Sequence, residues 1–161
     1  MSATLYNAEI LRLAASIPHN ERLSEPMATA ERRSPICGSR VTVDVTVDAD
    51  GRVDTVGLLV RACALGQASS SLLAANIVGR DAAELGAIRD SLTAWLAREG
   101  DLPEWPGLDI FVPALDYTAR HPSIRLAFEA AAEAAAAAAK QSGSGADADQ
   151  RSATASAGAD V

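Results

Sequence analysis

Val41-Thr42-Val43-Asp44-Val45-Thr46-Val47-Asp48 alternates a β-branched apolar residue with a polar one at every step, the period of two expected of a half-buried strand. Asp48-Ala49-Asp50-Gly51 follows as a turn signal, and Val53 to Val60 supplies a second strand, so the pair reads as an antiparallel hairpin. Two strands alone are marginal in water, so other elements have to cover the valine face. On this reading the carboxylates of Asp44, Asp48, Asp50 and Asp54 form a solvated strand face and turn, not a catalytic acid pair.

Helices are the expected cover. After the hairpin, Ala64 to Val78 places Leu65, Ala68, Leu72 and Ile77 at helical spacing and stops at Gly79. Asp81 then reads as an N-cap with Glu84 three residues on, opening a helix that carries Leu85, Ile88, Leu92 and Leu96 and ends near Gly100. Leu108-Asp-Ile-Phe-Val112 reads either as a third short strand or as an extended loop. His121-Pro122-Ser123 opens a last helix, with proline in the first turn where its missing N–H costs least. That helix runs into the nearly pure alanine of 130–140, the best intrinsic helix former but one with little side chain to anchor it. From Gln141 to Val161 the composition is serine, glycine, alanine and aspartate, so the expected organisation is one domain over 1–140 and a disordered tail over 141–161. Ahead of the hairpin, residues 4–16 read as a short amphipathic helix ended by Pro18, and 18–35 as a proline-punctuated loop.

The 161 residues have room for one core, and 48% of them are hydrophobic, with alanine supplying much of that fraction. A formal net charge of −7, with no basic cluster and no repeating aromatic platform, argues against nucleic acid as a partner. No charged leader and no apolar run of about 18 residues occurs, so a soluble, cytoplasmic protein with no membrane partner is expected. In a reducing compartment the two cysteines, Cys37 and Cys63, are expected as thiols or metal ligands, not as a disulfide.

Their placement makes those thiols interesting. Cys37 stands just before the first hairpin strand, beside Gly38, and Cys63 stands between the second strand and a helix, where unpaired N–H groups and the helix dipole favour a thiolate. The hairpin brings both to one edge. His121, at the start of the last helix, joins them if the two helices pack side by side. Thiolate and imidazole ligands suit zinc and iron-sulfur clusters. Taken singly, each cysteine is more simply a small buried apolar residue and His121 a helix cap, while His19 reads as solvated. No GxSxG, P-loop or HExxH pattern is present.

Three stretches are similar to the iron-sulfur cluster assembly scaffolds of the IscU/SufU/NifU N-terminal type. Leu5-Tyr-Asn-Ala-Glu-Ile-Leu with Pro18-His-Asn20 resembles the family's opening helix and Pro-x-Asn turn. Pro35-Ile-Cys37-Gly38 ahead of the alternating strand resembles its first cysteine. Ala62-Cys63-Ala64-Leu-Gly-Gln67-Ala68-Ser69-Ser70-Ser71-Leu72 with Gly79-Arg80 resembles its Gly-Cys-Ala helix start and later Gly-Lys. The likeness covers about residues 4 to 133. It implies an α+β fold of the SufE/NifU-like kind, with a small antiparallel sheet of about three strands packed against helices. It also implies a cluster held by three cysteines, assisted by an aspartate two residues after the first.

Here the sequence departs from that pattern. Ser39 holds the aspartate's place, Ala62 replaces a glycine, and the third cysteine is missing from Arg120-His121-Pro122-Ser123-Ile124. Either His121 or Pro122 matches the lost cysteine, and His121 is the candidate ligand in both cases. With no Leu-Pro-Pro-Val-Lys segment, an Hsp70-type chaperone partner is not supported. The resemblance implies a non-enzymatic scaffold that binds iron, a labile [2Fe-2S] cluster or zinc through Cys37, Cys63 and His121. Such a scaffold takes sulfur from a cysteine desulfurase at Cys63 and serves apo iron-sulfur acceptor proteins. Two rivals stand beside it: an interaction or regulatory module that kept the fold without cluster assembly, and a thiol enzyme with Cys63 as nucleophile and His121 as base.

Overall fold

The computed structural model describes residues 7–35 and 38–159, with side chains as far as Gln141. The sheet has three antiparallel strands in the order β1 (Ala28–Arg33), β2 (Arg40–Val47), β3 (Val53–Arg61). The expected β2–β3 hairpin is present, with Asp48 Oδ1 accepting from the N–H groups of Asp50 and Arg52 at 2.9 and 3.0 Å. Gly51 takes a φ of +79°, which an L side chain adopts only with strain.

The third strand lies elsewhere than expected. It is Ala28–Arg33, inside the stretch that reads as a loop, and Leu108–Ala114 is a 3-10 helix, neither strand nor extended. In that helix Leu108, Phe111 and Ala114 are buried. The decisive apolar spacing there is three, the 3-10 repeat, and not the two that Leu108, Ile110 and Val112 suggest.

The described residues also form four α-helices, α1 (Ala8–Ala15), α2 (Ala64–Asn76), α3 (Ala82–Leu96) and α4 (His121–Ala159). Asn7 caps α1 through Ile10 N, and Asp81 caps α3 through Glu84 N at 2.8 Å, the second of these as the sequence implies. Helix α4 packs on β1, β2, α2 and α3. Arg32, which shares a face with Val41, pairs with Glu129 and Glu133 of α4, so α4 covers the valine face. Its alanines are an asset: Ala130, Ala131, Ala134, Ala135 and Ala138 are fully buried, each a methyl that lets helix and sheet approach closely. The α4 backbone is helical to Ala159. Once a nucleus exists, each further residue adds a hydrogen bond for little extra ordering cost. Among the described residues no helix is long and apolar enough to cross a membrane.

Both faces of β2 are covered. Opposite the valines, residues 19–23 run across the sheet as a strap, with Leu58 N donating to the His19 carbonyl at 2.9 Å. Asp44, expected in solvent, is fully buried beneath it. Its carboxylate accepts from Arg22 Nε at 2.6 Å and Nη2 at 3.0 Å, from Leu23 N at 3.1 Å and from Thr29 Oγ1 at 2.5 Å. Burial pushes this carboxyl up, but the bonds from Arg22, Thr29 and Leu23 outweigh burial and hold it below its ordinary value. Its partner across the strands is Gly57, where a Cβ would overlap the Glu21 carbonyl oxygen and sit 2.9 Å from Leu23 N. The strap lies this close because residue 57 has no side chain.

Candidate functional site

One end of the molecule gathers the first residues of β2, the last of β3, and the starts of α2 and α4. Arg40 pairs in register with Arg61, so the segment before β2 lies beside the segment after β3. Two residues beyond Arg61, Cys63 is the N-cap of α2, with extended backbone (φ −66°, ψ 172°) and no capping bond from its side chain. Its thiol is free and half-buried. An N-cap side chain stands over the first turn, where the helix's unpaired N–H groups and positive dipole end favour a negative ligand atom.

The start of α2 is tied to the start of α4. Ser69 Oγ donates to the Ile124 carbonyl at 2.6 Å, and a Cβ built on Gly66 would lie 3.2 Å from the Ser123 carbonyl oxygen. Ser71 Oγ reaches the Ser16 carbonyl at 3.4 Å, anchoring the end of α1 to the same helix. Ser69 and Ser71 are therefore buried ties between elements, while Ser70 Oγ donates to the Gly66 carbonyl within α2.

His121 does begin α4, and the residue is buried, 7% exposed. Its Nε2 lies 2.9 Å from the Ala114 carbonyl oxygen. A carbonyl only accepts, so Nε2 is the donor in this contact, and in a neutral imidazole the lone pair would then be on Nδ1. The ring lines a cavity of about 220 Å3 with Thr93, Leu96, Ala97, Thr118, Pro122 and Arg125, facing the end of α3, and Cys63 is not part of that lining. Among the described residues no three of His, Cys, Asp and Glu converge on a metal position. Cys37 lies outside the described residues. Ser39 is buried, and its carbonyl accepts from Ser34 N at 2.8 Å across the turn that joins β1 to β2. The described soft donors at this end are thus the Cys63 thiol and the His121 Nδ1. Iron and zinc accept both donor types, but the two residues do not line one cavity.

The model of the NifU-like N-terminal domain matches residues 5–99. The chain belongs to the NifU-like N-terminal domain family. A solved structure of a nitrogen-fixing NifU-like protein (N-terminal) from Brucella abortus is 41% identical, covers 84% of this chain and 95% of its own, and superposes with a TM-score of 0.78. A putative iron-sulfur cluster assembly scaffold protein for the SUF system, from thermophilic Fervidobacterium islandicum AW-1, shares the fold at 17% identity and a TM-score of 0.72, with 81% and 96% of the two chains covered. No curated protein matches. The NifU-like fold accounts for the α+β architecture. The buried Asp44–Arg22 clamp and the strap above it are what the sequence reading missed. The one available signal was an aspartate between valines facing an arginine in a loop.

Proposed function

We propose that this NifU-like chain is an iron-sulfur cluster assembly scaffold that works at the Cys63 end, in a reducing cytoplasm. The observation that carries the reading is Cys63 itself: a free, half-buried thiol at a helix N-cap, beside the segment that precedes β2. Cys63 takes sulfur from a cysteine desulfurase. Its thiolate attacks the terminal sulfur of the donor's persulfide, the donor S–S bond breaks, and the donor cysteine leaves as a thiolate. A new S–S bond stands on Cys63 with no net oxidation. Cys37 supplies the second thiolate for the iron, zinc or [2Fe-2S] cargo. His121 supplies Nδ1 after a turn of the ring or of the α4 start, giving up the Nε2 contact with the Ala114 carbonyl. Ser39, in place of an aspartate, leaves the cargo held by fewer donors and quicker to pass to apo acceptor proteins. The working domain is residues 1–140, the last buried side chain among those described being Ala138.

The test is elemental analysis with visible absorption on anaerobically prepared protein, beside Cys37→Ser, Cys63→Ser and His121→Ala. Iron with sulfide, or stoichiometric zinc, that falls in each variant supports the three-donor reading. Metal retained in His121→Ala but lost with either cysteine removes His121 from the set. Wild-type protein that stays metal-free after reconstitution sinks the scaffold reading and leaves the interaction module.

A further inference from the structure

The three strands end together in a row of arginines. Arg33 of β1 stands opposite Arg40 of β2, and Arg40 stands opposite Arg61 of β3. Cross-strand partners share a face with Cβ atoms about 5 Å apart, and like charges so placed repel. The row therefore costs the fold stability, in a chain whose net charge is −7. Glu31 relieves part of it, accepting from Arg33 Nε at 3.0 Å and lying 3.5 Å from Arg40 Nε. The hydrogen bond from Arg33 holds the Glu31 carboxyl below its ordinary value. Arg61 is exposed and forms no ion pair among the described residues. Arg33 and Arg40 thus share one carboxylate on the face away from α4 while Arg61 has none, and the row ends two residues short of Cys63.

We propose that Arg33, Arg40 and Arg61 form the docking surface for an acidic segment of the cysteine desulfurase that delivers sulfur to Cys63. The inference rests on the sulfur-acceptor reading of Cys63. A protein segment fits better than the alternatives. Register sets the three side chains side by side on adjacent strands, Arg33 and Arg61 exposed and Arg40 half-buried, which suits several carboxylates presented by a loop or strand and not one enclosed small anion. A nucleic acid would meet a chain that is acidic overall and lacks an aromatic platform here. The strap over Gly57 fills the same face farther along, so the partner reaches the row from the cysteine end.

The experiment measures binding of labelled full-length chain to the desulfurase of the same organism by fluorescence anisotropy, from 50 to 300 mM NaCl. Wild type is compared with Arg61→Glu and with the triple Arg33→Glu/Arg40→Glu/Arg61→Glu variant. Cys63 persulfide is read in the same samples by alkylation and mass spectrometry, with inorganic polysulfide as a partner-free sulfur source. Binding should weaken about 10–100-fold in the triple variant and about 3–10-fold in Arg61→Glu, and fall with salt in wild type. Polysulfide labelling should stay the same in all three. Arg61→Glu, at an exposed and unpaired position, carries the test if the triple variant does not fold. Wild-type affinity in Arg61→Glu, salt-independent binding, or no binding of wild type overturns the docking surface. Charge-dependent binding without sulfur on Cys63 leaves the docking surface standing and overturns the sulfur-acceptor reading instead.

Discussion

Replacing Asp44 by asparagine tests whether the buried clamp holds the strap to the sheet. The side chain keeps its shape, so the change is electrical. Leu23 N keeps an acceptor, and the Thr29 hydroxyl can turn to suit an amide. What is lost is the pair of charge-assisted bonds from Arg22, at 2.6 and 3.0 Å. Hydrogen bonds to charged groups are worth about 1.5–3 kcal/mol each in proteins. Breaking a wholly buried ion pair costs about 3–5 kcal/mol because a stranded charge remains. Arg22 is not stranded, since its side chain is 48% exposed and finds water when released. The expected loss is therefore about 2–3 kcal/mol at pH 7, read as a lower urea midpoint at unchanged m, or as a drop of about 10 °C in Tm. The pH dependence supplies the second arm. The Asp44 carboxyl is depressed in the folded state, so its contribution is full above the unfolded value of about 3.9 and is lost as pH falls through the folded value. Below that point the wild-type carboxyl is neutral too, and the two stability curves converge. A loss under about 0.5 kcal/mol at pH 7, or a gap that stays constant into acid, would refute the clamp.

Three further outcomes follow from contacts described above. Gly57→Ala pushes a methyl into the Glu21 carbonyl and is expected to cost about 1–3 kcal/mol in urea unfolding, with faster hydrogen exchange at the Leu58 amide. Gly66→Ala places a Cβ 2.7 Å from that of Ala62 and 3.2 Å from the Ser123 carbonyl oxygen, levering α2 from α4; Cys63 should then react faster with an aromatic disulfide reagent, and an unchanged rate would mean this contact does not cover the thiol. Asp81→Ala removes the cap of α3 and should lower stability by about 1 kcal/mol by thermal melting, with the Glu84 amide losing protection.

The parts of the fold that could be read in the sequence were those whose burial obeys a single period. The valines of β2 and β3, the capped start of α3 and the proline in the first turn of α4 announce themselves this way. Strand β1 does not, because its core-facing positions are Ala28 and Ala30, too small to signal, and its remaining residues are Thr29, Glu31, Arg32 and Arg33. It forms as the outer partner of β2, with Arg32 reaching over to α4. Asp44 looked solvated because alternation reports one face of a strand, while the strap that covers the other is aperiodic. The position of Cys63 between strand and helix was legible. The direction of the His121 ring was not, since it depends on Ala114 and α3, which no local pattern ties to it. The arginine row was invisible for the same reason: Arg33, Arg40 and Arg61 become neighbours through strand register alone.

The strap also sets an order of events. His19 and Arg22 are synthesised well before the residues that receive them, Leu58 and Asp44, so α1 and the strap have no docking site until β3 exists. These contacts close long loops, whose entropy has to be met before any bond rewards it. Folding should start from the β2–β3 hairpin with α2, and the strap should seal last. Its amides would then open first in the native protein, and opening there would uncover Asp44 while the Cys63 end stays in place.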